Sequence, residues 1–361
     1  MASQAPLPFF GRAWNIAVDT ADGQHLVVAS SRADESLRAT FAIDMYMLLA
    51  YWQAEVSIFN MSSQTAGTIW KGSPKLGDLW QFQKPLVAGD TVTVSAGYES
   101  SEAGGFNPDA NVLYQGKVLQ PVWLRENVVD YRLILRCVTG LIEDAVNFTS
   151  FPIAGGVSAH DALAQICSQA NPPIPIDRID EGARTRLSQQ SYPRAQAIHG
   201  RPWNAIRSIT AENNLFAWVN PRGLNVRSFG SGGTPQTPDY AYGPPEPAGN
   251  SGSRQTAQGL VKRTLIGTPE QTQDGVVFRV LLDPQVRIGD IVLLEPGTLI
   301  NPVPIQVGQL PAAPSQNGIY VVAGLRHFGD TRGRGDDWFT EIHGVVMDFF
   351  ANFLTARQAG Q

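Results

Sequence analysis

The chain reads as mainly β with a smaller α+β part: two β-barrel domains flanking a middle α+β domain. Three observations predict this. Glycine (35) and proline (25) are abundant among the 361 residues, which means many turns and hence many short strands. Apolar residues alternate with polar ones along much of the chain. The same ordered series of strand and turn signals also occurs twice, once before residue 140 and once after residue 260.

The first β region opens at Leu37. Leu37, Ala39, Phe41, Ile43 and Met45 alternate with mainly polar partners, and Val56, Ile58 and Asn60 continue the period of two. A short helix is predicted from Ser62 or Ser63, either hydroxyl able to cap its first turn, through Ile69. Gly89 and Asp90 form a turn before the strand Thr91 to Ser95. Asn111 to Leu124 and Asn127 to Val138 are the arms of a hairpin, with Arg125 and Glu126 near its tip.

The pattern then changes from period two to helical spacing. Ser158 starts a helix in which Ala159, Ala162, Leu163, Ile166 and Ala170 share one face, with Asp161 in the first turn, where the helix dipole favours an acid. The run Asn171 to Pro175 ends it. A second helix runs from Pro202, suited to a first helical position, to about Asn214, with Trp203, Ile206, Ile209 and Thr210 inward. Leu215 to Val219 and Leu224 to Phe229 make a hairpin around Asn220 to Gly223. Residues 231–255 hold five Gly and five Pro among polar residues, too little apolar surface for a core, and are expected to be a linker or long exposed loop. Strands return at Val261 to Ile266, Val276 to Leu282, Ile291 to Glu295, Ile319 to His327 and Trp338 to Val346.

The repeat is an ordered set of matches. Val87 to Val94 aligns with Arg287 to Leu294, and Asn111 to Tyr114 with Asn317 to Tyr320; a hairpin partner follows each, near Asn127 and near Asp336. Ala54 to Asn60 stands where Gly275 to Leu282 stands. Gly-Asp before a strand is ordinary turn chemistry, so the weight lies in the order. The expected domains are 1–150 and 256–361 for the β regions and 151–230 for the middle, with 231–255 between.

Composition excludes several functions. A net charge of −5 argues against a nucleic-acid binder, whose affinity rests on Lys and Arg at phosphates. The longest apolar run, Met45 to Trp52, is too short to span a bilayer, and Met1 to Phe10 has no basic residue ahead of an apolar core, so a secretory signal is unsupported. Cys137 and Cys167 sit in apolar strand and helix patterns and are expected to be buried free thiols. Charged residues make up 16% against a usual ~25%, the composition of a chain that gives surface to interfaces.

No zinc helix, nucleophile elbow, phosphate loop or Cys-x-x-Cys is present. One polar cluster invites a metal or acid-base reading: His327, Asp330, Arg332, Asp336, Asp337, Glu341 and His343 in the final hairpin. Alternation puts the two histidines on opposing strands and the acids in a Gly-rich turn, so a solvated, charged hairpin tip is the favoured reading. Arg334-Gly-Asp336 falls in that same turn, and the acceptor patterns at Asn60 and Asn147 have no export signal behind them. No catalytic, cofactor or metal residue is therefore assigned.

These stretches resemble the baseplate central hub proteins of contractile-tailed, Mu-like phages. The resemblance rests on Ala54 to Ser62, Gly89 to Tyr98 and Val112 to Val118, then on Gly275 to Pro284, Gly289 to Leu294, Gly318 to Val322, His327 to Arg332 and Trp338, covering about residues 37 to 347. It implies two tail-tube-like barrels per chain in a homotrimer, so that six similar domains meet a hexameric tail tube on one side and a trimeric central spike on the other. Baseplate wedge or inner ring proteins and the tape measure protein are further implied partners. DNA would pass through without specific binding. The implied location is the virion tail, assembled in the host cytoplasm. Lysozyme domains of larger relatives are not carried over, because no suitable carboxylate pair is present. Two rivals are a cell-wall hydrolase or glycan-binding tail protein, and a tail tube or distal ring protein with one barrel per chain.

Overall fold

The computed structural model describes residues 10–20, 23–32, 36–47, 52–62, 65, 90–100, 106–139, 148–171, 173–220, 222–228, 238–245, 254–256, 259–272, 274–295, 298, 301–302, 318–333 and 337–346. By compactness the chain divides into two units. One comprises Met1–Tyr46, Trp52–Thr139 and Pro238–Gly344, so it holds both β regions; the other comprises Met47–Tyr51, Gly140–Thr237 and Val345–Gln361.

In chain order the first strands are β1 (Phe10–Asp19), β2 (His25–Ser30), β3 (Ala39–Tyr46), β4 (Trp52–Phe59), β5 (Thr91–Ser100), β6 (Val112–Arg125) and β7 (Tyr131–Thr139). Next come β8 (Thr149–Ile153), α1 (Ala159–Gln169), β9 (Ile176–Ile179), α2 (Glu181–Gln189), β10 (Gln196–Gly200), α3 (Pro202–Glu212), β11 (Phe216–Asn220) and β12 (Gly223–Arg227). The last group is β13 (Tyr240–Tyr242), β14 (Arg254–Thr256), β15 (Gly259–Lys262), β16 (Leu265–Gln271), β17 (Gly275–Leu281), β18 (Ile291–Leu294), β19 (Asn301–Pro302), β20 (Ile319–Asp330) and β21 (Trp338–Val345). The protein is mainly β with a smaller α+β part. Among the described residues no helix is long and apolar enough to cross a membrane.

All described strands of the β regions share one sixteen-stranded sheet. In the first region the pairing order is β3-β4-β7-β6-β5; in the second it is β16-β17-β21-β20-β18. The two orders match the repeated series read from the sequence. Hydrogen bonding repeats as well: Val118 N donates to Asp90 O at 3.0 Å, and Val322 N to Asp290 O at 2.9 Å. One detail differs. Val94 lies opposite Tyr114, while Leu293 lies opposite Ile319, so Tyr114 stands with Gly318 and not with Tyr320. The aligned Asn and Tyr slip by two residues, which in a strand keeps the same face and so leaves the alternation undisturbed. Gly289 adopts φ 84° in the turn closed by Asp290 N to Arg287 O at 3.1 Å, a backbone conformation that costs glycine nothing.

Three stretches of the β regions depart from the sequence reading. The first β region begins earlier than Leu37: β1 pairs with β5 along its length and with β2 on its other side. Within the expected 231–255 loop, β13 pairs in parallel with both β15 and β18, and Ala241 and Tyr242 are buried. Three residues suffice because their neighbours supply the core and Asp239 fixes the entry, its carboxylate accepting from Ile291 N at 2.8 Å. The strand expected at 261–266 is two strands that break at Arg263 and Thr264, where the Arg263 guanidinium pairs with Glu295. Ser62 Oγ does accept from Thr65 N at 3.1 Å, a helix-capping bond; the remainder of the expected helix to Ile69 lies outside the described residues, as do Arg334 to Asp336 and Asn147.

The second unit packs α1, α2 and α3 around Leu163, Ile166, Leu187, Ile206 and Ile209. Ser158 caps α1 by accepting from Asp161 N at 3.1 Å, and Pro202 opens α3 as expected. β11 and β12 form the expected hairpin, Asn220 Oδ1 accepting from the amides of Arg222 (2.7 Å) and Gly223 (2.9 Å). The sequence reading had no counterpart for α2, capped by Asp180, or for the β8–β10 pair.

Candidate functional site

The two β regions meet where β20 pairs antiparallel with β3, from Gly324 opposite Tyr46 to Asp330 opposite Thr40. Alternation along both strands makes this seam. Phe41, Ile43 and Met45 are buried from β3, and Leu325 and His327 from β20. Gly329 leaves room for an aromatic ring: a Cβ there would collide with Phe41 and come within 2.8 Å of Trp338. Trp338 of β21 is fully buried, edge-on to Phe41 (5.4 Å between ring centroids) and to Trp14 of β1 (6.3 Å), and its indole N–H donates to Gly97 O at 3.3 Å. One side chain of the second region is thus enclosed by three strands of the first.

A charged clasp lies at the end of the seam. Arg38 Nε and Nη2 donate to the two carboxylate oxygens of Asp330 at 3.2 and 2.6 Å, and the guanidinium lies 4.7 Å over the Phe59 ring. Arg12 Nη1 donates to the carbonyls of Asp330 and Gly333, both at 2.9 Å. Arg332 returns the contact, donating to Ser36 O at 2.9 Å, and Thr331 Oγ1 accepts from Ala39 N at 2.9 Å. Burial pulls the Asp330 carboxyl upward, but the bonds from Arg38 and the Arg332 amide outweigh it and hold the group below the usual carboxylate value.

Behind the clasp runs a buried polar chain. His327 Nδ1 lies 2.8 Å from Thr340 Oγ1, which accepts from Asp283 N at 2.9 Å. Asp283 Oδ2 accepts from Tyr242 (2.9 Å) and from Lys262 Nζ (2.6 Å); Lys262 also donates to Gln285 and lies 4.3 Å over the Tyr240 ring. Complete burial pushes His327 down to about 4, against the pull of the Asp283 charge. Burial first, and then Asp283, push the Tyr242 hydroxyl well up. The chemistry of this arrangement is one of holding: donors and acceptors are spent on one another.

The final-hairpin residues singled out in the sequence thus separate. His327 joins the buried chain and Asp330 and Arg332 the clasp, while the Asp337 carbonyl accepts from Asp330 N at 2.8 Å. Glu341 pairs with Arg279 (2.7 Å) and lies 3.3 Å from His343, which meets the Tyr46 ring edge-on. Asp336 lies outside the described residues. The reading of a water-solvated tip is corrected for Asp330, which is 8% exposed: its partner Arg38 comes from the other β region, which the local sequence could not show. Sequence reasoning also missed Arg12, Arg38, Asp283 and Tyr242. Lys262 carried a signal, as the only lysine after residue 117. Among the described residues no group of three His, Cys, Asp or Glu is placed to hold a metal ion. Cys137 and Cys167 are free and buried as expected, and burial pushes each thiol up to about 12.

No protein-family model matches the chain, and no curated protein does. Among solved structures it is similar to a tail protein from Neisseria meningitidis MC58, at 12% identity over 93% of this chain and 97% of that one, with a TM-score of 0.49. It is similar to the 43 kDa tail protein of prophage MuSo2 from Shewanella oneidensis, at 9% identity over 93% and 99%, TM-score 0.49. A third is the E. coli c3393 protein, a type VI secretion component described as structurally similar to the T4 tail proteins gp27 and gp5, at 7% identity over 87% and 75%, TM-score 0.42.

Proposed function

We propose that the chain is a structural baseplate hub of a contractile phage tail, a trimeric ring joining a hexameric tail tube to a trimeric central spike. One observation carries this reading: the strand order β3-β4-β7-β6-β5 recurs as β16-β17-β21-β20-β18 within a single chain. Three such chains present six similar surfaces to a sixfold partner while keeping threefold symmetry toward another, which a chain with one repeat cannot do in a closed ring. The seam serves that role, since a symmetry adaptor must hold its two repeats in fixed relation under load. Charge is compatible with a conduit for DNA. Residues 1–150 carry 10 basic and 15 acidic residues and 256–361 carry 8 and 10, so a lumen built from them repels phosphate.

The test is the mass of the purified particle, alone and co-expressed with its spike. A mass three times the 39.1 kDa chain is expected. A hexamer would refute the hub reading in favour of a tube or distal ring protein, and peptidoglycan release by the purified protein would favour a hydrolase.

A further inference from the structure

Lysine all but disappears from the later chain: Lys262 is the only one after residue 117, where the other cationic side chains, histidine aside, are arginines. An ion pair that serves only to hold favours arginine, whose planar fork meets both carboxylate oxygens, as Arg38 does at Asp330 and Arg263 at Glu295. Lysine differs in becoming a nucleophile once it gives up a proton. Lys262 closes β15 and Asp283 lies two residues beyond β17, so the fold fixes an amine against a carboxyl group from a separate segment.

The two oxygens of that carboxyl group have different partners. Lys262 Nζ lies 2.6 Å from Oδ2, which also accepts from the Tyr242 hydroxyl at 2.9 Å. Oδ1 accepts from the Gln285 amide at 3.0 Å, while Gln285 Oε1 takes a second bond from Nζ, also at 3.0 Å. Water is held off: Asp283 is 8% exposed, Tyr242 is fully buried, and the Tyr240 ring covers the Lys262 ammonium group. The usual competitor is missing as well. An aspartate side chain is ordinarily attacked by the amide nitrogen of the next residue, but Asp283 is followed by Pro284, which has no N–H. A nucleophile, an oxyanion donor and a donor beside the leaving oxygen therefore converge on one carboxyl carbon.

We propose that Lys262 and Asp283 join in an intrachain amide bond, formed by the folded chain itself. One proton passes from Nζ to Oδ2 along the 2.6 Å bond. The freed Nζ lone pair attacks Cγ, and the carbonyl electron pair moves to Oδ1, where the Gln285 amide stabilises the charge. As that pair returns, the Cγ–Oδ2 bond breaks. A second Nζ proton passes to Oδ2, polarised by the Tyr242 hydroxyl, and Oδ2 leaves as water. The third proton stays on the new amide nitrogen, where Gln285 Oε1 accepts it. Ammonium and carboxylate thus become amide and water, with no change of oxidation state. Groups held together in this way react with effective molarities of roughly 10⁵–10⁸ M, which lets a fold drive a condensation that free solution opposes. The bond closes a covalent loop from residue 262 to residue 283 and anchors the short strands β13, β14 and β15 to the end of β17.

Intact mass spectrometry of the purified full-length chain reads the bond directly. Wild-type protein should be lighter than its sequence by one water, and its tryptic digest should contain a branched peptide joining the segments of Lys262 and Asp283. K262R, which can keep the ion pair, and D283A should each show their own full sequence mass. Y242F, with an unchanged circular dichroism spectrum, should give two masses soon after synthesis, the heavier disappearing about tenfold or more slowly than in wild type. Wild-type protein at its full sequence mass overturns the proposal. A missing water that persists in K262R overturns it equally, because the dehydration then lies elsewhere. A hexamer whose chains are each lighter by one water refutes the hub reading and leaves the cross-link; a trimer of chains at full mass does the reverse.

Discussion

His327 is buried neutral, and its depressed pKa, about 4 against an ordinary 6.5, makes stability depend on pH. The unfolded chain binds the proton more readily, so the contribution is whole above pH 6.5 and is lost as pH falls toward 4. Full loss amounts to ~3 kcal/mol. Urea midpoints measured between pH 7 and 4 should fall along that window, and H327Q should flatten the curve. Gly329→Ala drives a methyl into Phe41 and Trp338 and should cost ~1–3 kcal/mol by thermal unfolding. Asp330→Asn should cost ~1–3 kcal/mol, kept modest because half of Arg38 remains in water, and a double cycle with R38Q should show coupling. At this scale the sequence disclosed residue types but not partners. Asp330 and Arg38 are 292 positions apart, and nothing local to Asp330 distinguishes an acid in a clasp from one in a turn.

Elements with one buried face were legible, and those without were not. β3 shows alternating burial along its length, and its sequence alternates accordingly. In β1 Ala13, Ile16, Ala17 and Val18 are all buried, so apolar residues on both faces blur the period of two. α2 buries only Ala183 and Leu187, too thin a stripe to stand out although Asp180 offers a cap. β13 is three residues in a Gly- and Pro-rich stretch, and its aromatic pair was the sole hint. The seam makes a prediction about elements too. A fragment ending at Thr139 lacks β20, which bares the β3 edge over seven residue pairs. It should aggregate or add strands from other chains, read by size exclusion, while the whole chain stays soluble.

For the whole molecule, the duplication was readable because hydrogen-bonded turns and strand order survive even where side chains do not. Val118 and Val322 make the same bond to aspartates in otherwise dissimilar strands. That the halves share one sheet was not readable, because strand pairing between distant segments leaves no periodic trace. The seam also sets a timetable. β3 is complete at Tyr46, yet β20 begins at Ile319, with residues 47–318 to be made between them. At ~5–20 residues/s a ribosome needs roughly 15 to 50 s for that stretch, during which the first half of the sheet must wait unfinished. Synthesis, and not strand docking, then sets the pace at which the protein reaches its native state, and a chaperone that shields β3 during that interval should raise the yield of folded chain.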